Sequence, residues 1–241
     1  MTNLLLLLAV AAGPNATVTL GDAPYRAIGI NYFDSFLRTL KNGEDTSYTQ
    51  GFATLAAKKI PFVRFCATGY WPIEMKLYQE NRDEYFRRLD AVVECAQQHH
   101  IGLVPSLFWN QEHKGTWDLD APEQFRDVLA RAHPDPVDAI SLHAYENDDE
   151  RLADAQIVAR QLNKPLFVGE FGSKGQSPEE AAKFRRLLDS IIKSEVPLAA
   201  AWVFDYPNQP EFNITAENAR SWMLDAIAEA NRALPPPTSG F

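Results

Sequence analysis

The residues best suited to chemistry stand at the ends of apolar runs. In Pro165-Leu-Phe-Val-Gly-Glu170-Phe-Gly172 a single carboxylate interrupts an otherwise apolar stretch, with Gly169 before it and Gly172 close behind. A charge in such a run is costly unless it is paired or functional. Comparable runs end in Asn31-Tyr32-Phe33, Arg64, Trp109, His143 with Tyr145, and Trp202 with Asp205 and Tyr206. Glu170 and Arg64 could form a structural ion pair. A carboxylate, an imidazole and a phenol gathered in one place could also carry nucleophilic or acid–base chemistry. The plainer readings are a satisfied core histidine at 143 and simple packing at Trp202.

These side chains need elements to hold them. Ala27–Phe33, Phe62–Thr68, Gly102–Trp109, Ala139–Tyr145, Pro165–Gly172 and Ala199–Tyr206 are apolar on both faces, as parallel strands covered by helices should be. Within Glu84–Gln98, the residues Tyr85, Leu89, Val92, Val93 and Ala96 recur at helical spacing. Ser177-Pro178-Glu179-Glu180 opens another helix with a capping box. Ala121–Ala132, Asp148–Leu162 and Ser221–Leu234 complete the series, the last stopped by Pro235-Pro236-Pro237. Ala16–Leu20 and Pro24–Ile30 flank Gly21-Asp22 as an N-terminal β-hairpin.

Strand–helix alternation along the chain predicts a parallel α/β sheet, doubly wound or closed as a TIM-barrel-like (β/α) barrel, in one domain over residues 14–241. No G-x-G-x-x-G follows the first strand and no P-loop occurs, which weighs against dinucleotides and nucleoside triphosphates. In a parallel barrel the active site lies at the C-terminal strand ends, where the residues above fall.

Composition narrows the partners. The 241 residues are 46% apolar and 23% charged, an ordinary globular mix. A net charge of -9 provides no basic face for nucleic acid or an anionic membrane, so a neutral substrate fits better. Cys66 and Cys95 are too few for a disulfide framework or a zinc cluster and read as buried thiols; no metal or other cofactor is implied. No apolar run approaches the roughly 20 residues of a membrane span. Leu4–Ala12 has the length of a signal-peptide apolar region and ends in Ala9-Val10-Ala11, so residues 1–13 read as a leader and the chain as secreted or periplasmic.

Gly29-Ile-Asn-Tyr-Phe33, Val63-Arg64-Phe65, Ser141-Leu-His143-Ala-Tyr145, Val168-Gly-Glu170-Phe-Gly172 and Ala201-Trp202 follow one another in the order found in clan A glycoside hydrolases. From about Ala16 to Leu234 the chain most resembles family 5, the cellulase and β-mannanase family. The resemblance implies a (β/α) barrel that hydrolyses β-linked oligo- or polysaccharides with retention of configuration. It makes Glu170 the nucleophile and Arg64 the arginine that keeps it ionised. His143 and Tyr145 match the pair that orients the nucleophile and contacts the reacting sugar. Trp202 matches an aromatic platform for the sugar face, with Asn31, Trp71 and Trp109 as further substrate-binding candidates.

One part of that machinery is missing from the sequence. Retaining hydrolysis needs a second, protonated carboxyl group about 5–5.5 Å from the nucleophile. The resemblance places it in an Asn-Glu pair after strand four, and no such pair lies between Gly102–Trp109 and His143. The candidates for that role are Glu112 and Glu146. Strand–helix units recur about every 34 residues, too widely for the stretch from Ala27 to Leu234 to hold eight of them, since a full barrel takes about 250 residues. The expected fold is therefore a barrel reduced to six units, with strands four and five and the acid/base residue deleted. Such a barrel could close, leave an edge that pairs with another copy as a homo-oligomer, or survive as a catalytically impaired carbohydrate-binding relic.

Overall fold

In the computed structural model, residues 10–13, 16–20, 23–68, 75–107, 126–127, 129–130, 135, 138–145 and 149–234 are described. Six parallel strands make the main sheet: β4 (Ala27–Asn31), β5 (Phe62–Cys66), β6 (Gly102–Ser106), β7 (Ile140–Tyr145), β8 (Leu166–Gly172) and β9 (Leu198–Ala201). Their order is β6-β5-β4-β9-β8-β7, so the first and last of the six pair with each other, as barrel topology requires. Among the described residues β6 and β7 are the outer strands and do not pair. The architecture is the reduced (β/α) barrel expected from the unit count.

Helices accompany the strands among the described residues, including α1 (Leu37–Lys41), α2 (Tyr48–Ala57), α3 (Lys76–Glu80), α4 (Arg82–Gln98), α5 (Asp149–Leu162), α6 (Pro178–Lys193) and α7 (Trp222–Ala233). The start of α6 follows from its capping sequence, since the Ser177 side chain accepts from the Glu180 N–H and Pro178 occupies the first turn. In α7, Asn231 accepts the Ile28 N–H at 2.8 Å and donates to the Ile28 carbonyl at 2.7 Å, tying the helix to β4. Ahead of the barrel, β1 (Val10–Gly13) pairs antiparallel with β2 (Thr17–Leu20), and β2 with β3 (Ala23–Pro24), the expected hairpin plus one strand.

Strand alternation divides the sheet into two faces. Ile28, Ile30, Val63, Phe65, Ile140, Leu142 and Ala144 point to the helices and join the main core with Phe52, Val92, Phe184 and Ile227. The opposite face carries Ala27, Phe62 and Ala200 in a small apolar cluster with Val104, Phe167 and Leu198. Gly29 belongs to this face, where a Cβ would overlap the Phe62 carbonyl oxygen and lie 2.9 Å from the Phe62 ring, so the glycine lets the two strands approach. Asn31, Arg64 and His143 share this helix-free face, one step towards the C-terminal strand ends.

Simple alternation fails once, at β8. Val168 and Phe171 both pack in the helix-side core, Phe171 stacked on Phe184 at 5.6 Å, yet they are three residues apart. The ladders show the cause: on β7 the register moves from Leu142↔Val168 to His143↔Glu170, and on β9 it shifts between Val168 and Phe171. One extra residue is accommodated near Gly169, a β-bulge that turns Glu170 to the face carrying Arg64 and His143.

Candidate active site

Glu170 is 6% exposed and meets three groups from two other strands. Its Oε1 accepts from Arg64 Nη1 at 3.1 Å, and its Oε2 accepts from the Tyr145 hydroxyl at 2.6 Å. His143 Nδ1 lies 3.3 Å from the same Oε2. The four residues come from β5, β7 and β8, so the site depends on strand register rather than on any local sequence. The ion-pair reading and the functional reading of Glu170 describe the same geometry, because the carboxylate has an arginine partner and two further polar neighbours.

Asn31 builds the floor. It is 1% exposed, and its Nδ2 donates to the carbonyls of Gly169 at 3.0 Å, Ala200 at 3.2 Å and Ala201 at 3.2 Å. Its Oδ1 accepts from Arg64 Nη1 at 3.0 Å. One amide therefore holds the bulge carbonyl and positions the guanidinium. The resemblance assigned Asn31 to substrate binding; its contacts here are with the protein.

Burial and the adjacent Glu170 push the Tyr145 phenol well above the usual tyrosine range, so it remains a hydrogen-bond donor at neutral pH. For His143 the dominant influence is again burial, which holds the imidazole below its ordinary value; Glu170 opposes this and Arg64 adds to it. Tyr145→Phe deletes a short hydrogen bond to a charged group while preserving the ring packing against Phe212. A roughly 10- to 100-fold fall in kcat with little change in KM is expected, since such bonds contribute about 1.5–3 kcal/mol. Steady-state kinetics reads it.

Trp202 sits directly after β9 and is 6% exposed, packed in a cluster with Phe33, Cys66 and Tyr206. Its Nε1 donates to Gln209 Oε1 at 2.6 Å. Gln209 is a residue the sequence reading did not single out; it lies seven positions on, in a polar turn with no pattern to mark it. A second unflagged group adjoins the site from the other side. Arg38 donates to Asp34 at 2.6 Å, to the Asp205 carboxylate at 2.9 Å and to Ser47 at 2.9 Å, lying over the Tyr32 ring. It ties the loop after β4 to the segment after β9 that carries Trp202.

Trp71, Trp109, Glu112 and Glu146, together with most of the helix expected at Ala121–Ala132, lie outside the described residues. Both cysteines are buried and unpaired with each other. Among the described residues no group of three or more His, Cys, Asp or Glu is placed to hold a metal, and no helix is long and apolar enough to cross a membrane.

No protein-family model matches the chain, and no curated protein sequence matches it. Solved structures do. A glycoside hydrolase family 5 mannosidase from Rhizomucor miehei superposes with a TM-score of 0.70 at 12% identity, covering 93% of this chain and 98% of that one. The endo-1,4-beta-D-mannanase of Thermotoga petrophila gives 0.61 at 11% identity over 85% and 99%, and an endoglucanase of Pseudomonas stutzeri gives 0.59 at 14% over 89% and 100%. The likeness is one of fold.

Proposed function

Starting from a chain that has the fold of family 5 glycoside hydrolases, we propose that it is a retaining glycosidase acting on a β-linked polysaccharide such as mannan or cellulose, with Glu170 as nucleophile. The observation that carries this reading is the surround of Glu170. Its described neighbours are the guanidinium of Arg64, the hydroxyl of Tyr145 and the imidazole of His143, all placed on a carboxylate at a C-terminal strand end. Arg64 and Tyr145 fix the carboxylate's plane and leave it ready to attack an anomeric carbon presented at the strand ends. The solved structures that share the fold are named for mannosidase, mannanase and endoglucanase activity, which supports the substrate class. A polymeric substrate and the apolar N-terminal stretch together favour an exported protein.

In the reaction, a Glu170 oxygen bonds to the anomeric carbon as the bond to the leaving oxygen breaks, and water then cleaves the resulting ester with a second inversion. Release of reducing sugar from β-mannan and carboxymethyl cellulose tests the activity, and proton NMR of the first product gives the anomer. Initial appearance of the β-anomer is expected. First release of the α-anomer would remove the nucleophile role, and no release from any β-linked substrate would leave the non-catalytic carbohydrate-binding relic as the reading.

A further inference from the structure

Resting on that reading, we infer that His143 is the proton donor and acceptor of the reaction, standing in the place where a second carboxyl group would act. The ring lies beside the nucleophile and is 47% exposed at its side chain. Its inner edge is accounted for: Nδ1 faces Glu170 Oε2 at 3.3 Å, and Cδ2 is the ring atom nearest Gly169, 3.8 Å from where a Cβ would stand. Nε2 and Cε1 therefore form the outer edge. Nε2 stands across the ring from the 3.3 Å contact with the nucleophile, where a donor separate from that contact can act. A Cβ at Gly169 would crowd the Ser141 hydroxyl at 3.3 Å and meet the His143 ring at an ordinary contact distance of 3.8 Å.

The proton balance closes on one residue. In the first step the imidazolium gives its Nε2 proton to the leaving oxygen while Glu170 bonds to the anomeric carbon. In the second step the neutral Nε2 takes a proton from water, whose oxygen bonds to the anomeric carbon as the ester to Glu170 breaks, and the imidazolium is restored. Among the described residues the charged groups that act on the ring are Glu170 on β8 and Arg64 on β5. Because burial holds the imidazole below its usual value of about 6.5, the acid form is present on the acidic side of that value and is lost as the pH rises through it.

The test compares phenyl and 2,4-dinitrophenyl β-mannosides and β-glucosides, with the intact wild type and His143→Ala at matched melting temperature. A phenol needs a proton to leave and a dinitrophenol does not. The variant is expected to lose roughly 10²–10⁴-fold in kcat/KM on the phenyl substrate, to stay within a few-fold on the dinitrophenyl one, and to regain phenyl turnover with added imidazole or formate. The wild-type phenyl profile should fall with rising pH below about 6.5, and the variant should lack that limb. Equal losses on both leaving groups would make His143 a positioning residue and overturn the assignment. So would disappearance of the limb in Glu112→Gln or Glu146→Gln instead. A wild type inert towards both leaving groups would fail the glycosidase reading itself.

Discussion

Glu170→Gln is expected to lower the turnover of 2,4-dinitrophenyl β-glycosides by roughly 10⁵-fold, the scale seen when a covalent nucleophile is removed. The amide keeps the shape of the side chain and one acceptor oxygen, so the strand ladder and the bulge should persist and the loss reads as chemistry. A good leaving group isolates the attacking atom, because departure then asks nothing of the acid. Glu170→Ala carries the same argument further. It opens space beside Arg64 and Tyr145, so added azide should attack from the vacated side and give a glycosyl azide of inverted, α configuration. Rates within ten-fold of wild type for Glu170→Gln would show that another group attacks.

The second large effect is one of stability. Asn31→Ala should cost about 2–4 kcal/mol, because it takes a donor from three backbone carbonyls on a buried part of the sheet and an acceptor from Arg64. For a chain of this length that corresponds to a fall in melting temperature of about 5–15 °C, read by calorimetry or circular dichroism. Asn31→Asp should be at least as damaging at neutral pH, since a carboxylate cannot donate to the Gly169, Ala200 and Ala201 carbonyls. Its stability should improve on acidification, when the protonated carboxyl recovers one donor. Activity in either variant should fall further than stability alone explains, because the bulge that aims Glu170 loses its anchor at Gly169.

Much of this arrangement is legible from residue order. Parallel strands buried on both faces leave near-continuous apolar runs, so the starts of the six strands are legible to within one residue while several runs continue past the strand ends, and Ser177-Pro178 marks the start of α6 because a side-chain cap and a fixed proline φ are local effects. The sum of unit lengths fixed six repeats, and the strand order agrees. Other features depend on contacts between distant segments. Strict alternation would put Glu170 on the same face as Val168; only the register against β7 and β9 reveals the extra residue that separates them. The short α1 has no side-chain cap and too few turns for a periodic signal. Arg38 acts through a partner far from it in sequence, Asp205 at 167 residues' separation, and Gln209 lies in a polar turn with no periodic pattern to mark it. Val10–Gly13 pairs with Thr17–Leu20, so its apolar residues serve strand pairing as well as the leader reading they invited.

Asn31 illustrates how a site residue can be found for one reason and act through another. Its type and place at a strand end drew attention as a sugar contact. In the fold its amide is spent on the backbone, and its oxygen holds the Arg64 guanidinium that meets Glu170. Trp202 is similar: the indole expected as an open platform has its N–H on Gln209 and its rings against Phe33 and Tyr206.

Covalent capture is the most direct measurement of the nucleophile at the centre of this account. Incubating the protein with 2,4-dinitrophenyl 2-deoxy-2-fluoro-β-mannoside or its glucoside analogue, then measuring intact mass and mapping the peptide, should show one fluoro-hexosyl unit on the segment containing Glu170 and none on Glu170→Gln. A label on any other carboxylate, or an unmodified protein under conditions where the same substrates without fluorine are turned over, would contradict the assignment.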